Sequence, residues 1–208
     1  MGETALLLVE GRDDVCVVSE LLERHHIPER FRVEERGGIS RLLGGLAVAL
    51  KGSELTRLGI VVDANADLEG RWAQICTILQ DSGKVKMPKH PESQGTIVQV
   101  ERPEGVKTVG IWLMPDNTLP GMLEHFVSFL IPENDCLWPR AQESVERIPE
   151  TERRFHSQHL IKAYVHTWLA WQKDPGTPMG QAINNRYLEA DSKQAQRFIA
   201  WVRRLFES

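Results

Sequence analysis

The stretch Leu58-Gly59-Ile60-Val61-Val62-Asp63-Ala64-Asn65-Ala66-Asp67 decides the fold of this chain. Its first five residues are apolar except for Gly59, which is typical of a strand buried on both faces of a parallel sheet. The polar residues that begin at Asp63 end the run. We therefore predict a central strand at residues 58–62, with acidic and amide side chains following its carboxyl end.

Strands and helices alternate around this stretch. We predict strands at residues 5–9 and 31–35, and helices at residues 13–26, 39–50 and 68–80. This β-α-β-α-β-α order implies right-handed crossovers and a mostly parallel sheet with helices on both faces. The predicted fold class is α/β.

Two further strands are predicted at residues 96–100 and 109–114. Arg102-Pro103-Glu104-Gly105 lies between them and is a turn signal that favours a hairpin. Residues 81–95 are rich in turn-forming residues and are expected to be irregular. A short helix is predicted at residues 121–130, after the last strand.

The pattern becomes purely helical beyond residue 131. Pro132, Pro139 and Pro149 indicate a connector with a short helix, and further helices are predicted at residues 156–173, 179–189 and 192–206. Trp168, Trp171 and Trp201 are too large and apolar for a lone exposed helix. We predict an α/β core over residues 1–135 and a helical C-terminal extension over residues 136–208, packed on the core.

Composition excludes several classes of protein. With 208 residues, 41% apolar and 26% charged, the chain is expected to be globular and neither disordered nor fibrous. No apolar run approaches the ~18 residues of a membrane helix, and the first residues lack the basic segment of a signal peptide. We expect a cytoplasmic location. Cys16, Cys76 and Cys136 lie far apart in apolar surroundings, which favours buried, reduced thiols over a disulfide or zinc site.

Charge is distributed unevenly along the chain. Residues 151–208 contain nine Lys and Arg against five Asp and Glu, so the net charge is +4 there and −8 in residues 1–150. The acidic residues 1–150 are compatible with a metal site, and the basic residues 151–208 are compatible with a polyanionic partner. A charge of +4 is also ordinary for a surface of helices. A homo-oligomer is compatible with the sequence as well.

Acidic residues follow several predicted strands. Glu10 follows the first strand, Asp63, Asn65 and Asp67 follow the third, and Glu124 comes shortly after the last. Carboxyl ends of parallel strands meet at one edge of a sheet, where buried carboxylates need a neutralising cation. Oxygen ligands select Mg²⁺ or Mn²⁺. In the alternative interpretation, Glu10 and Glu124 are solvated and Asp63 only caps the third helix.

Three known motifs were compared with Asp63-x-Asn65-x-Asp67. An EF-hand loop is excluded because its sixth position should be Gly and is Leu68, and its twelfth should be Glu and is Gln74. A haloacid-dehalogenase-like phosphatase is disfavoured because its paired aspartates follow the first strand. A response-regulator receiver stays open as a hypothesis, with Asp63 as the phospho-acceptor.

These motifs together resemble the Toprim domain shared by primases, topoisomerases and overcoming-lysogenization-defect (OLD) nucleases. The resemblance rests on Val9-Glu10-Gly11 with Asp13-Asp14 beyond, the Gly37-Gly38 turn, and the stretch from Ile60 to Asp67. Leu123-Glu124 resembles the additional acidic position of the OLD branch. A bacterial family of uncharacterised Toprim-like proteins is similar over most of the chain, through the motifs Pro115-Asp116-Asn117, Gly121-Met122-Leu123-Glu124 and Thr167-Trp168-Leu169-Ala170-Trp171.

The resemblance implies a metal-dependent nuclease. Glu10 would serve as general acid or base or as a metal ligand, and Asp63 and Asp67 would hold Mg²⁺ at a phosphodiester of nucleic acid. Lys162 is the candidate for the lysine that assists in OLD-like nucleases. Asn65 departs from the Asp-x-Asp pattern, so Asp67 would substitute for it or the metal would bind more weakly.

Two related interpretations stay open. One is a catalytically weak Toprim-like interaction module that works with a protein partner such as an ATPase. The other concerns the surroundings of Lys162, which shares a helical face with His159 and His166, three residues before and four after it. That face is either part of the site or a solvated polar stripe. Four basic residues around the second helix are candidates for contacts with phosphate groups, namely Arg36, Arg41, Lys51 and Arg57.

Overall fold

The computed structural model describes residues 4–52, 54–103 and 105–207. Its strands are β1 (Thr4–Val9), β2 (Arg32–Glu35), β3 (Leu55–Asp63), β4 (Thr96–Arg102) and β5 (Gly105–Met114). They form one sheet in the order β2-β1-β3-β5-β4, in which β4 is antiparallel to β5 and the other neighbours are parallel. The predicted α/β class with a mostly parallel sheet is confirmed, and β3 is its central strand.

Eight α-helices are present in the described residues. They are α1 (Arg12–Arg24), α2 (Ile39–Ala49), α3 (Leu68–Ser82), α4 (Leu123–Ser128), α5 (Trp138–Glu146), α6 (Leu160–Ala170), α7 (Met179–Asn184) and α8 (Lys193–Phe206). Helix α6 begins later than predicted because Ser157–His159 forms a separate 3-10 turn. Helix α4 also begins later, because Gly121 has a φ of 153° and Met122 is extended.

The sheet is buried on both faces, as the apolar run in β3 predicts. Ile60 and Val62 point to the face covered by α2 and α3, whereas Val61 points to the opposite face. Side chains alternate between the faces of a strand, so a strand buried on both sides is apolar at successive positions.

Helix α8 lies against the sheet where two glycines meet. Gly59 on β3 is paired with Gly110 on β5. A Cβ atom added at Gly110 would lie 2.4 Å from Cδ2 of Leu205, so any larger residue there would push α8 away. Trp112 of β5 packs edge-on against Phe198 of α8, with ring centroids 5.3 Å apart. The C-terminal helices therefore share one apolar cluster with the sheet.

Some expectations about single side chains were wrong. Trp168 and Trp201 are buried, but Trp171 is 41% exposed because it follows the end of α6. Cys16 and Cys136 are exposed rather than buried, and Cys76 is half-buried. The division of the chain at residue 135 stays a prediction. Within the described residues, no helix combines the length and apolarity needed to cross a membrane.

Glycine substitutions test the packing of α7 against α1. An added Cβ at Gly180 of α7 would lie 2.8 Å from the backbone carbonyl carbon of Cys16 in α1. We expect Gly180→Ala to lower the free energy of unfolding by about 1–3 kcal/mol, because the two backbones would have to separate. Urea denaturation followed by circular dichroism measures the change.

The matched control is Gly44→Ala in α2, where nothing lies within 4 Å of the added atom. We expect this variant to be more stable by about 0.5–1 kcal/mol, because alanine favours the helix over glycine. Equal stability of Gly180→Ala and the parent protein would contradict the close packing of α7 on α1.

Candidate acidic site

The carboxyl ends of β1 and β3 bring two predicted site residues together. Glu10 follows β1, and Asp63 is the last residue of β3, which lies directly beside β1. The backbone N–H of Asp63 donates a hydrogen bond to Oε1 of Glu10, with N and O 2.7 Å apart. Adjacent parallel strands thus place the Glu10 carboxylate at the backbone of Asp63.

The start of α4 is tied to the same edge of the sheet. The backbone N–H of Leu123 donates to Oδ1 of Asp63 at 2.9 Å, and the N–H of Asn65 donates to the carbonyl of Gly121 at 2.6 Å. Glu124 lies in the first turn of α4 and is only 3% exposed. These bonds hold the start of α4, and with it Glu124, at the end of β3, although the two elements are far apart in the chain.

Lys162 reaches the acidic residues from the helical extension. Its Nζ donates to Oε1 of Glu124 at 2.6 Å, and its side chain is 44% exposed. Burial acts to lower the pKa of Lys162, but the hydrogen bond and charge of Glu124 outweigh it, and the pKa is raised. Lys162 is therefore a charged partner of Glu124. His159 and His166 are both exposed, and neither joins this ion pair.

Asp14 is a site residue that the sequence reasoning did not select. It is only 8% exposed, and its Oδ2 accepts a hydrogen bond from the backbone N–H of Gly11 at 3.1 Å. The signal was present in α1, because Asp14 shares the buried face with Val17, Val18 and Leu21. A carboxylate at a core position of an amphipathic helix is costly to bury unless a partner compensates its charge, so such a position indicates a role beyond packing. We refer to Glu10, Asp14, Asp63 and Glu124 as the acidic cluster.

The carboxylates of the acidic cluster act on one another. Burial, followed by the charges of Glu10, Asp14 and Glu124, raises the pKa of Asp63 to about 8. Burial and then the charge of Glu10 raise the pKa of Asp14 to about 7. Burial also raises the pKa of Glu10, although the amide of Asp63 opposes the change. When fully ionised, the cluster would hold more negative charge than Lys162 alone neutralises, so it favours binding of a proton or a cation.

Asn65 and Asp67 lie in the loop after β3 and make no side-chain contact with the acidic cluster among the hydrogen bonds and ion pairs of the described residues. Both are exposed, and Asn65 has a left-handed backbone with a φ of 55°, a conformation that Asn tolerates well. Oδ1 of Asp67 accepts from the backbone N–H of Gly70 at 2.8 Å and caps α3. The capping role considered for Asp63 therefore belongs to Asp67. Metal ligation by Asn65 or Asp67 stays a prediction.

The basic residues near the site differ from those expected. Arg71 of α3 donates from Nε to the backbone carbonyl of Asp63 at 3.1 Å, so it borders the acidic cluster. Arg36 pairs with Glu34, and Arg57 donates to the carbonyl of Leu205 at the opposite end of β3. These contacts occupy two of the four residues considered for phosphate binding, and Arg41 and Lys51 are exposed.

The chemistry of the acidic cluster fits a hard cation. Oδ1 of Asp14 and Oε2 of Glu124 are buried oxygens without a hydrogen-bond partner. Such atoms are costly in a protein interior unless a cation or proton compensates them. Across the described ranges, however, no three His, Cys, Asp or Glu side chains are grouped as ligands of one ion. Ligation of one ion by several of these residues therefore requires the carboxylates to move closer together.

The pH dependence of stability tests the acidic cluster. The pKa of Asp63 is about 8 in the folded chain against an ordinary value of 3.8. The folded state consequently binds more protons than the unfolded state between these values, and stability falls as pH rises through this window. Between about pH 5 and pH 9 we expect the free energy of unfolding to fall by on the order of 2–5 kcal/mol, and Asp14 contributes part of this loss. Urea denaturation without metal measures it.

The control is Asp63→Asn, which keeps the acceptor for Leu123 and removes the charge. We expect this variant to lose the share of the pH dependence that Asp63 contributes, to keep the share of Asp14, and to be more stable than the parent protein at high pH. An unchanged pH profile in Asp63→Asn would show that the carboxyl of Asp63 ionises normally.

Comparisons with known proteins gave one match. A family model described as protein of unknown function DUF3226 matches residues 4–207 of the chain. Searches of curated proteins and of solved structures gave no significant match.

Proposed function

We propose that this chain, which belongs to the DUF3226 family, binds Mg²⁺ or Mn²⁺ at its acidic cluster and hydrolyses phosphodiester bonds of nucleic acid. The observation that carries the proposal is the convergence of four buried or half-buried carboxylates at the carboxyl edge of the sheet, with two oxygens left unpaired. A protein gains nothing in stability from this arrangement, so binding is its best explanation. The resemblance to Toprim domains supports the nuclease assignment.

The residues of the cluster have separable roles in this proposal. Glu10, Asp14, Asp63 and Glu124 are the candidates for holding the metal, which would polarise a phosphodiester and stabilise the leaving oxygen when bound. Glu10 is also the candidate general acid or base, because its half-buried carboxylate lies at the backbone of Asp63 and burial raises its pKa. Lys162 stays protonated and supplies positive charge for a phosphate oxygen.

Lys162 also acts as an internal counter-ion in the absence of metal. Its ammonium group occupies Oε1 of Glu124, so a metal ion that uses this carboxylate competes with it. Replacing Lys162 by an uncharged side chain of similar length should therefore favour metal binding. The helical extension in this way regulates the affinity of a site built mainly on the sheet.

Calorimetric titration with Mg²⁺ and Mn²⁺ tests the metal site. We expect saturable binding to the parent protein, binding at least about tenfold weaker to Asp63→Ala, and tighter binding to Lys162→Met, since one removes a ligand and the other a competing cation. Asp67→Asn is the matched control, because Asn retains the helix cap and removes one exposed charge. It should bind within about twofold of the parent protein.

Two results would contradict this site. Absence of saturable binding to the parent protein would remove metal binding altogether. Loss of binding in Asp67→Asn, with Asp63→Ala unaffected, would move the metal to the loop after β3.

Cleavage assays test the enzymatic part of the proposal. Plasmid, single-stranded DNA and RNA are incubated with Mg²⁺ or Mn²⁺, and we expect cleavage of at least one of them. Glu10→Gln should reduce the rate by about 100-fold or more, because it removes a proton-transfer group and keeps the size of the side chain. Glu69→Gln changes an exposed carboxylate of α3 and should leave the rate unchanged. Equal rates for Glu10→Gln and the parent protein would exclude Glu10 from catalysis.

A second candidate function is a catalytically inactive interaction module. The Lys162–Glu124 ion pair favours it, because this pair already neutralises part of the acidic cluster without metal. Such a module would work with a protein partner such as an ATPase, and it would show neither metal binding nor cleavage. For the receiver-like hypothesis, a small phosphodonor should label Asp63. Its raised pKa and buried position oppose that reaction.

A cytoplasmic location, a nucleic-acid partner and self-association remain predictions under this proposal. The exposed apolar side chains are scattered singly over the described surface, as Val48, Leu119 and Trp171 illustrate. Scattered apolar residues are ordinary on monomeric surfaces, so they do not themselves indicate a protein interface.

A further inference from the structure

A cavity of about 360 Å³ opens beside the acidic cluster. Three segments line it, namely the loop after β3, the residues before α4 together with His125 in its first turn, and the 3-10 turn before α6. The second and third of these segments lead directly into the helices that carry Glu124 and Lys162. Met122 lies two residues before Glu124, and His159 lies three residues before Lys162. The lining of the cavity is therefore connected along the chain to both residues of the Lys162–Glu124 ion pair.

The lining of this cavity differs in chemistry from the acidic cluster. It contains no Asp, Glu, Lys or Arg among the described residues, so it does not attract an ion by charge. Asn65 and Gln158 instead offer amide donors and acceptors, His125 and His159 offer flat rings, and Met122 offers an apolar, polarisable surface.

The orientation of His125 is set by the start of α4. The backbone N–H of Met122 donates to Nδ1 of His125 at 3.2 Å, so the proton of the neutral ring is assigned to Nε2. Burial lowers the pKa of His125, although the charge of Glu124 opposes this change. The hydrogen bond from Met122 orients the ring as a flat wall of the cavity and leaves Nε2 as its second nitrogen.

We propose that this cavity binds the nucleobase of a nucleotide whose phosphate lies at the acidic cluster. The cavity has a size within the range of small-ligand sites, and its side-chain amides and imidazole rings match the polar edges and flat faces of a base. A base in a pocket of this kind must be unpaired, so the substrate is single-stranded nucleic acid or a nucleotide. This inference rests on the proposed function and adds its substrate class.

Titration with mononucleotides tests the nucleobase site. AMP, CMP, GMP, UMP and ribose 5-phosphate are titrated into the full chain, with and without Mg²⁺, and followed by NMR. We expect at least one nucleotide to bind about fivefold or more tightly than ribose 5-phosphate, since only the nucleotides carry a base. Gln158→Ala and His159→Ala should each lower the affinity for that nucleotide by about fivefold, which is the usual effect of one lost polar contact.

His166→Ala is the matched control for His159→Ala. Both histidines are exposed and lie within one helical turn of Lys162 in the sequence, three residues before it and four after it, but of the two only His159 lines the cavity. The control should bind nucleotides as the parent protein does. Circular dichroism confirms that the variants are folded, and all three replaced side chains are exposed.

The outcomes separate this inference from the proposed function. Equal affinity for ribose 5-phosphate and all four nucleotides, or unchanged affinity in both Gln158→Ala and His159→Ala, would overturn the nucleobase site even if metal binds. Base-dependent binding that these variants weaken, in a protein that binds no metal, would support the nucleobase site and remove the metal-dependent function.

Discussion

The three hydrogen bonds at Asp63 hold the carboxyl edge of the sheet together. Its N–H donates to the Glu10 side chain after β1, its Oδ1 accepts from Leu123 of α4, and its carbonyl accepts from Arg71 of α3. One residue at the end of the central strand thereby positions three neighbouring elements. The Asp63 side chain, which makes one of these bonds, is also the carboxyl whose pKa is raised to about 8. Asp63 therefore both holds the site together and takes part in its electrostatics.

Electrostatic repulsion is the constraint that this arrangement creates. Carboxylates crowded at a buried edge raise one another's pKa and favour any available cation or proton. Lys162 supplies one positive charge within the described chain, and it comes from α6 rather than from the sheet. The helical extension is consequently part of the site. Its docking depends on a flat patch of the sheet at Gly59 and Gly110, where the absence of side chains lets α8 approach closely.

Much of the fold follows from local pattern. The parallel sheet is predicted by the continuous apolar runs of β1 and β3, and its antiparallel edge by the turn before β5. The prediction is possible because the spacing of apolar residues in a strand reflects which of its faces are buried. Helix starts were less predictable, since Ser157–His159 continues the helical pattern of α6 but forms a 3-10 turn. Of the site, Glu10, Asp63 and Glu124 could be selected from their places after strands, whereas Asp14 was obscured by an ordinary role at a helix start.

The sequence by itself determined the α/β class and the central strand, because each depends on residues that are close in the chain, and it selected Glu10, Asp63 and Glu124 from their places after strands. Tertiary structure decided which polar residues face one another. It turned Asp14 inward and brought Lys162 to Glu124. These outcomes depend on how α1, α4 and α6 pack against the sheet. Such packing is set by side-chain shapes across long sequence separations, which no local spacing encodes.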